Sequence, residues 1–165
     1  MDYSARELID ILEHEREIYE KIFHMEEEKS DAIIERDGKV IEELSLSQEK
    51  FLKEIEILEN KRVTLMKKCK SASKIKGEIT LQDIIESIDS AQSRILKQAG
   101  VELKNVLLKV ARVQDLNSQL LTDNMEFYDI IISGLKNSST IRSGYGSDGK
   151  EQAGTVNPVL FNIKA

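Results

Sequence analysis

The sequence predicts an all-α protein in which a long antiparallel helical hairpin and a long third helix form a three-helix bundle. Three observations lead to this prediction. Charged residues make up 33% of the 165 residues and aromatic residues only 5%, a composition typical of long helices. Apolar residues recur at alternating three- and four-residue steps through most of the chain before residue 136. The single proline, Pro158, interrupts none of these segments.

The distribution of charge restricts the class of partner. The formal net charge is −6, and residues 1–70 hold 19 acidic against 13 basic residues, whereas residues 71–165 hold 11 of each. Nucleic acid and anionic membrane both require a basic face, so we expect neither as a partner. The N-terminus lacks the layout of a signal peptide, and no apolar run approaches the length needed to span a membrane. These features predict a cytoplasmic protein.

The first helix is predicted over about residues 4–36. Ser4 and Glu7 have the spacing of a capping box, which satisfies free N–H groups at a helix N-terminus. Asp37 and Gly38 then predict a turn, because Gly at a helix end tolerates positive φ and Asp caps the next helix. The heptad stripe of this helix comprises Leu8, Ile11, Glu15, Ile18, Ile22, Met25, Lys29 and Ala32.

The second helix is predicted over residues 38–70. Its stripe comprises Ile41, Leu44, Gln48, Phe51, Ile55, Leu58, Arg62, Leu65 and Cys69. If the chain turns back at Asp37-Gly38, Glu15 lies level with Arg62, and Lys29 lies level with Gln48. We therefore predict a hairpin whose register is fixed by two matching polar layers.

The third helix is predicted over residues 80–136, after a linker at residues 70–78. Thr80 and Asp83 form a second capping-box pattern. Its apolar stripe includes Ile88, Ile95, Leu103 and Leu120. The steps of this stripe slip near Gly100, which makes Gly100 the candidate for a bend. The helical domain thus covers residues 1–136, and the Ser- and Gly-rich residues 137–165 are predicted to be a flexible tail.

Candidate catalytic residues are few. His14 and His24 lie among Glu residues without the spacing of a di-iron or HExxH site, so solvated helix surface is the expected role of both. Residues 144–150 match part of a phosphate-binding loop, but Glu151 replaces the Ser or Thr that binds magnesium. Cys69 falls on an apolar stripe and is expected to be buried. We expect no enzymatic activity, no cofactor and no metal site.

The third helix carries more apolar residues than one face requires. Leu121, Met125, Tyr128 and Ile132 form a second stripe at helical spacing beside the one that contains Leu120. Three interpretations remain open: burial within this chain, the seam of a homodimer, or a docking face for another protein's helix.

Three segments resemble the FlgN family of flagellar type III export chaperones. They are ILENKR at residues 57–62, VQDLNSQLLTDNMEFYDIII at 113–132, and SGYGSDGK at 143–150. The family often has two Asn residues three apart before a Leu-Leu step; Asn117 and the following Leu-Leu match this pattern, and Gln114 departs from it. The tail segment is similar to the family's Tyr-Gly-x-x-Gly sequence.

The resemblance implies a function. Members of the family bind the C-terminal ends of hook-associated proteins, keep them unassembled in the cytoplasm and deliver them to the cytoplasmic domain of the export gate. The export ATPase complex is a further implied partner. Tyr145 and Gly146 correspond to the gate-docking segment. The expected client-binding residues are Asn117, Leu120, Leu121, Met125, Tyr128 and Ile132. The alternative function is a structural helical homo-oligomer or coiled-coil adaptor.

Overall fold

The computed structural model describes residues 2–72 and 76–136, and within them it confirms the predicted all-α class. Within these described ranges, four helices follow one another: α1 (Asp2–Glu35), α2 (Gly38–Ala72), α3 (Leu81–Ser87) and α4 (Ser90–Lys136). The first begins two residues before the predicted cap, so Ser4 lies inside its first turn. The predicted flexible tail, residues 137–165, lies outside the described residues.

The hairpin of α1 and α2 has the predicted register. The Arg62 guanidinium lies 3.8 Å from the Glu15 carboxylate, measured from Nε to Oε1. Near the turn, the Lys29 ammonium donates a hydrogen bond to Gln48 Oε1. Both predicted polar layers are therefore confirmed, and they fix α1 and α2 as antiparallel neighbours.

The turn between α1 and α2 differs from the prediction in the residue that adopts positive φ. Arg36, and not Gly38, has φ of +59°. The amide of Arg36 donates to Ile33 O at 3.1 Å and that of Asp37 to Ala32 O at 2.8 Å, the bonding pattern of a Schellman motif. Asp37 then accepts from the Val40 amide and caps α2, as predicted.

The third predicted helix is divided at Ile88-Asp89, and α4 is continuous through Gly100. The Thr80–Asp83 capping box is confirmed at the start of α3. Asp89 then caps α4 by accepting from the Ala91 and Gln92 amides, both at 2.9 Å. At Gly100 the helix continues, and an added Cβ there would lie 3.0 Å from Leu81 Cδ2. Gly100 therefore gives α3 room to pack.

Helix α4 runs parallel to α1. Arg16 contacts Glu102, Ser30 contacts Asn117, and the Arg36 side chain donates to Asn124 at 3.4 Å, so both sequences advance in the same direction. Beyond Asn124, α4 continues for twelve residues, Met125 to Lys136. At 1.5 Å per residue this segment is about 18 Å long, so the last turns of α4 extend past the hairpin turn.

The core lies around α1, which packs against both α2 and α4. One buried face of α1 is the predicted heptad stripe, of which Met25 alone is only half-buried. A second buried face follows a seven-residue spacing that the prediction missed: Ala5, Leu12, Tyr19, Glu26 and Ile33. On α4 the predicted stripe is wrong at Ile95, which is 52% exposed, whereas Leu96 is fully buried.

Candidate functional site

A buried polar cluster joins α4 to the hairpin near the turn. Glu26 occupies its centre and is 1% exposed. One carboxylate oxygen of Glu26 accepts from Gln48 Nε2 at 2.9 Å, and the other accepts from Asn117 Nδ2 at 2.7 Å. The same Asn117 amide also contacts the Glu26 carbonyl oxygen, and the Ser30 hydroxyl donates to Asn117 Oδ1. The cluster thus ties α1, α2 and α4 together at one level.

The charges in this cluster compensate each other. Lys29 is 3% exposed and lies 3.4 Å from Glu26 Oε1. Burial lowers the pKa of Lys29 below its usual value, and the adjacent Glu26 carboxylate opposes that shift. Removing a single member of such a cluster leaves a buried polar group without its partner, which costs more than the intact bond contributes.

Asn117, one of the expected client-binding residues, belongs to this cluster. Its side chain is 3% exposed and directed at α1. Gln114, one turn earlier, is also buried, and its Nε2 has no hydrogen-bond partner in the described structure. Asn117 therefore anchors α4, and the docking surface proposed below does not include it. Glu26, its main partner, was not predicted; the seven-residue spacing that it shares with Leu12, Tyr19 and Ile33 is its signal in the sequence, but this spacing indicates burial only if α1 has a second neighbour.

The other expected contacts lie further along α4. Leu120 and Leu121 are half-buried at the level of the hairpin's end, and Met125 is 45% exposed. Tyr128 and Ile132 are part of the α4 backbone, but their side chains fall outside the described structure. Tyr145 and Gly146 lie outside the described residues altogether. The structure thus brings Leu120, Leu121 and Met125 to one end of the bundle.

The four apolar positions near the end of α4 lie on the same side of the helix as the residues that pack against α1. With 100° per residue, positions 121, 125, 128 and 132 continue the face that includes Val110 and Gln114, which are buried lower in the bundle. We call these four positions the distal face of α4. Helix α1 ends at Glu35, so no described part of α1 accompanies the last turns of this face.

The two histidines and the cysteine lie where the sequence predicts them. His14 and His24 are exposed, and His24 Nδ1 lies 3.2 Å from Glu27 Oε2. Cys69 is 5% exposed, as predicted. Among the described residues, no group of three or more His, Cys, Asp or Glu residues is placed to hold a metal ion. No described helix is long and apolar enough to cross a membrane.

In its described residues the fold is that of an all-α protein in which a helical hairpin supports the longer helix α4, whose sequence is rich in apolar residues near its C-terminal end. A family model described as FlgN protein matches residues 1–153. The chain therefore belongs to the FlgN family, a family of chaperones in flagellar biogenesis. No curated protein and no solved structure matches the chain significantly.

Proposed function

We propose that this protein binds the C-terminal segments of hook-associated proteins, keeps them unassembled in the cytoplasm and delivers them to the type III export gate. Membership of the FlgN family supports the general role. The observation that carries the proposal is the extension of α4 past the hairpin turn, with Met125 exposed on its distal face. An amphipathic client helix can pack its apolar face against such a surface, in the way that amphipathic helices bind hydrophobic grooves.

The chemistry of the distal face suits a client that must be released. Burial of apolar surface contributes about 25 cal/mol per Å², but a disordered segment loses conformational entropy when it becomes helical on binding. Because the loss of conformational entropy offsets part of the free energy gained by apolar burial, the complex is reversible and of moderate affinity. Neither covalent chemistry nor a cofactor is part of this mechanism.

The client site is tested by the double substitution Leu121→Asp and Met125→Asp. Two carboxylates on the distal face must be desolvated when an apolar helix docks, so we expect pull-down of a hook-associated C-terminal segment to be lost. Leu116→Asp is the matched control, because Leu116 is 48% exposed on the opposite side of α4. If the double variant retains binding while remaining folded, the client site is assigned incorrectly.

Gate docking is proposed for the segment that contains Tyr145 and Gly146, with the cytoplasmic domain of the gate as its partner. The export ATPase complex is a further proposed partner. Tyr145→Ala is expected to weaken binding to the gate domain and to leave client binding unchanged. Loss of client binding in this variant would contradict the division of roles.

The alternative, a helical homo-oligomer, would use the same distal face as its own seam. Light scattering with and without the client peptide separates the two functions. A chaperone forms a complex of one defined stoichiometry with the peptide. A stable dimer that the peptide leaves unchanged would favour the alternative.

A further inference from the structure

The side of α4 that faces away from α1 carries a row of exposed basic and apolar side chains. Between residues 94 and 112, six side chains fall within an arc of about 80° on the helix, opposite the buried Leu96, Leu103 and Val110. All six are exposed. We call this surface the outer face of α4. It comprises Arg94, Lys97, Val101, Lys104, Leu108 and Arg112.

The apolar residues of the outer face have coiled-coil spacing. Val101 is 46% exposed and Leu108 is 47% exposed, and they lie seven residues apart along the middle of the arc. Lys97 and Lys104 lie on one side of this line and Arg112 on the other, whereas Arg94 continues the line itself, seven residues before Val101. An apolar heptad line with like charges on both sides is the pattern by which coiled coils select partners of opposite charge.

The four cations are available for a partner. Within the described part of the chain, none of them forms an ion pair. Between residues 94 and 112 the acidic residue is Glu102, which lies off the arc and pairs with Arg16 at 3.1 Å; Asp115, one turn after Arg112, marks the end of the basic stretch. The outer face is therefore a local basic surface on a chain whose net charge is −6.

A second copy of the chain does not fit this surface. Two outer faces brought together would oppose cation to cation across the seam. The exposed side of α1 is acidic, but its only exposed large apolar residue among those described is Ile34, at the end next to the turn. On α2, the exposed Leu46 and Ile57 share their face with Lys50 and Lys53, so this face would also oppose cations to cations. A partner that offers both acidic side chains and an apolar line is needed.

We propose that the outer face of α4 binds an acidic amphipathic helix of another protein, at a site distinct from the distal face. The contact extends over about 27 Å of α4, five helical turns. Val101 and Leu108 pack into the apolar seam of the partner helix, Lys97, Lys104 and Arg112 pair with carboxylates on its two flanks, and Arg94 pairs with a carboxylate at the end of the seam. Nucleic acid is disfavoured as the occupant, since a sugar-phosphate backbone offers nothing to cover the two apolar side chains.

The test uses the full chain and two synthetic helical peptides of about three heptads. Both peptides carry the same leucine seam; one has glutamate flanks and the other has lysine flanks. We expect the acidic peptide to bind at least about tenfold more tightly by fluorescence anisotropy. In Lys97→Glu with Lys104→Glu, the preference should shift toward the basic peptide. Lys50→Glu with Lys53→Glu, an exposed pair on α2, is the matched control and should retain the preference of the unmodified chain.

Two further variants separate a specific seam from general attraction of charge. Val101→Ser with Leu108→Ser should reduce binding of the acidic peptide, whereas Leu121→Asp with Met125→Asp should leave it unchanged. Equal binding of both peptides to the unmodified chain would overturn the proposal. So would a preference that survives the Lys97 and Lys104 reversal, or binding of a short DNA duplex as tight as that of the acidic peptide. Circular dichroism verifies that each variant is folded.

Discussion

At the scale of single residues, the interface between α1 and α4 contains buried polar side chains as well as apolar ones. Glu26 has neighbours from three helices, and its hydrogen bonds require α2 and α4 to lie at fixed heights along α1. Apolar side chains alone tolerate a slip along the helix axis. The polar cluster does not, because a slip leaves the carboxylate unsatisfied.

Asn117→Ala tests this role. The substitution removes the donor to Glu26 Oε2 and the acceptor of Ser30, so we expect the free energy of unfolding to fall by about 2 kcal/mol. Urea denaturation followed by circular dichroism measures the loss. Gln119→Ala, at an exposed position two residues later, should change stability by less than about 0.5 kcal/mol. Equal effects of the two substitutions would show that the cluster does not hold α4.

Tyr19 predicts a dependence of stability on alkaline pH. Burial raises the pKa of Tyr19 to about 12, and the neighbouring carboxylate of Glu15 adds to the shift. Between the ordinary value of 10 and this value, the folded chain retains a proton that the unfolded chain has lost. The free energy of unfolding therefore falls as the pH rises above 10.

Tyr19→Phe removes this contribution. We expect the unmodified chain to lose stability relative to the variant as the pH rises above 10, in urea titrations at matched pH values. The two proteins differ only in the Tyr19 hydroxyl, so contributions from every other group cancel in the comparison. A stability difference that stays constant through this range would show that the Tyr19 hydroxyl is not retained in its protonated form.

At the scale of helices, Gly100 decides how α3 packs on α4. A glycine inside a helix costs about 1 kcal/mol relative to alanine. The small size of Gly100 allows Leu81 to approach closely, and only the terminal methyl group of that side chain is near. The sequence pattern suggests a bend at this position because glycine has two uses, flexibility and small volume, that a sequence does not distinguish.

Substitutions at Gly100 separate these two uses. Gly100→Ala should raise the free energy of unfolding by up to about 1 kcal/mol, because Leu81 Cδ2 needs to move only a few tenths of an ångström. Gly100→Leu should lower it, because the longer side chain displaces α3. Thermal and urea unfolding measure both. A loss of stability in the alanine variant would indicate that Leu81 is held rigidly.

At the scale of the whole molecule, the parallel arrangement of α1 and α4 determines where the proposed client site lies. The two helices start at nearly the same level, and α4 has 47 residues against 34 in α1. The additional length therefore emerges entirely at the end where the hairpin turns. An antiparallel α4 would place its C-terminal turns at the opposite end of the bundle, near the N-terminus of α1.

A chain ending at Tyr128 tests this arrangement. Because α1 ends at the level of Asn124, we expect the free energy of unfolding to change by less than about 1 kcal/mol, while client binding is lost. A chain ending at Lys136 is the control, since it lacks only residues 137–165 and should bind the client. A large loss of stability in the shorter chain would show that residues 129–136 contribute to the bundle.

The sequence by itself determined the helical class, the hairpin and its register, because heptad spacing and paired polar positions are local patterns with one geometric solution. Only the tertiary structure decided which faces of those helices are buried against one another. Glu26 and Leu96 are buried because α1 lies between two partners, and a single helix's pattern does not reveal how many neighbours it has. Likewise, Arg36 adopts positive φ because the Schellman bonds end α1 there, although Gly38 is nearby. The apolar excess on α4 was visible in the sequence, but its extension past the hairpin follows from the parallel packing of α1 and α4.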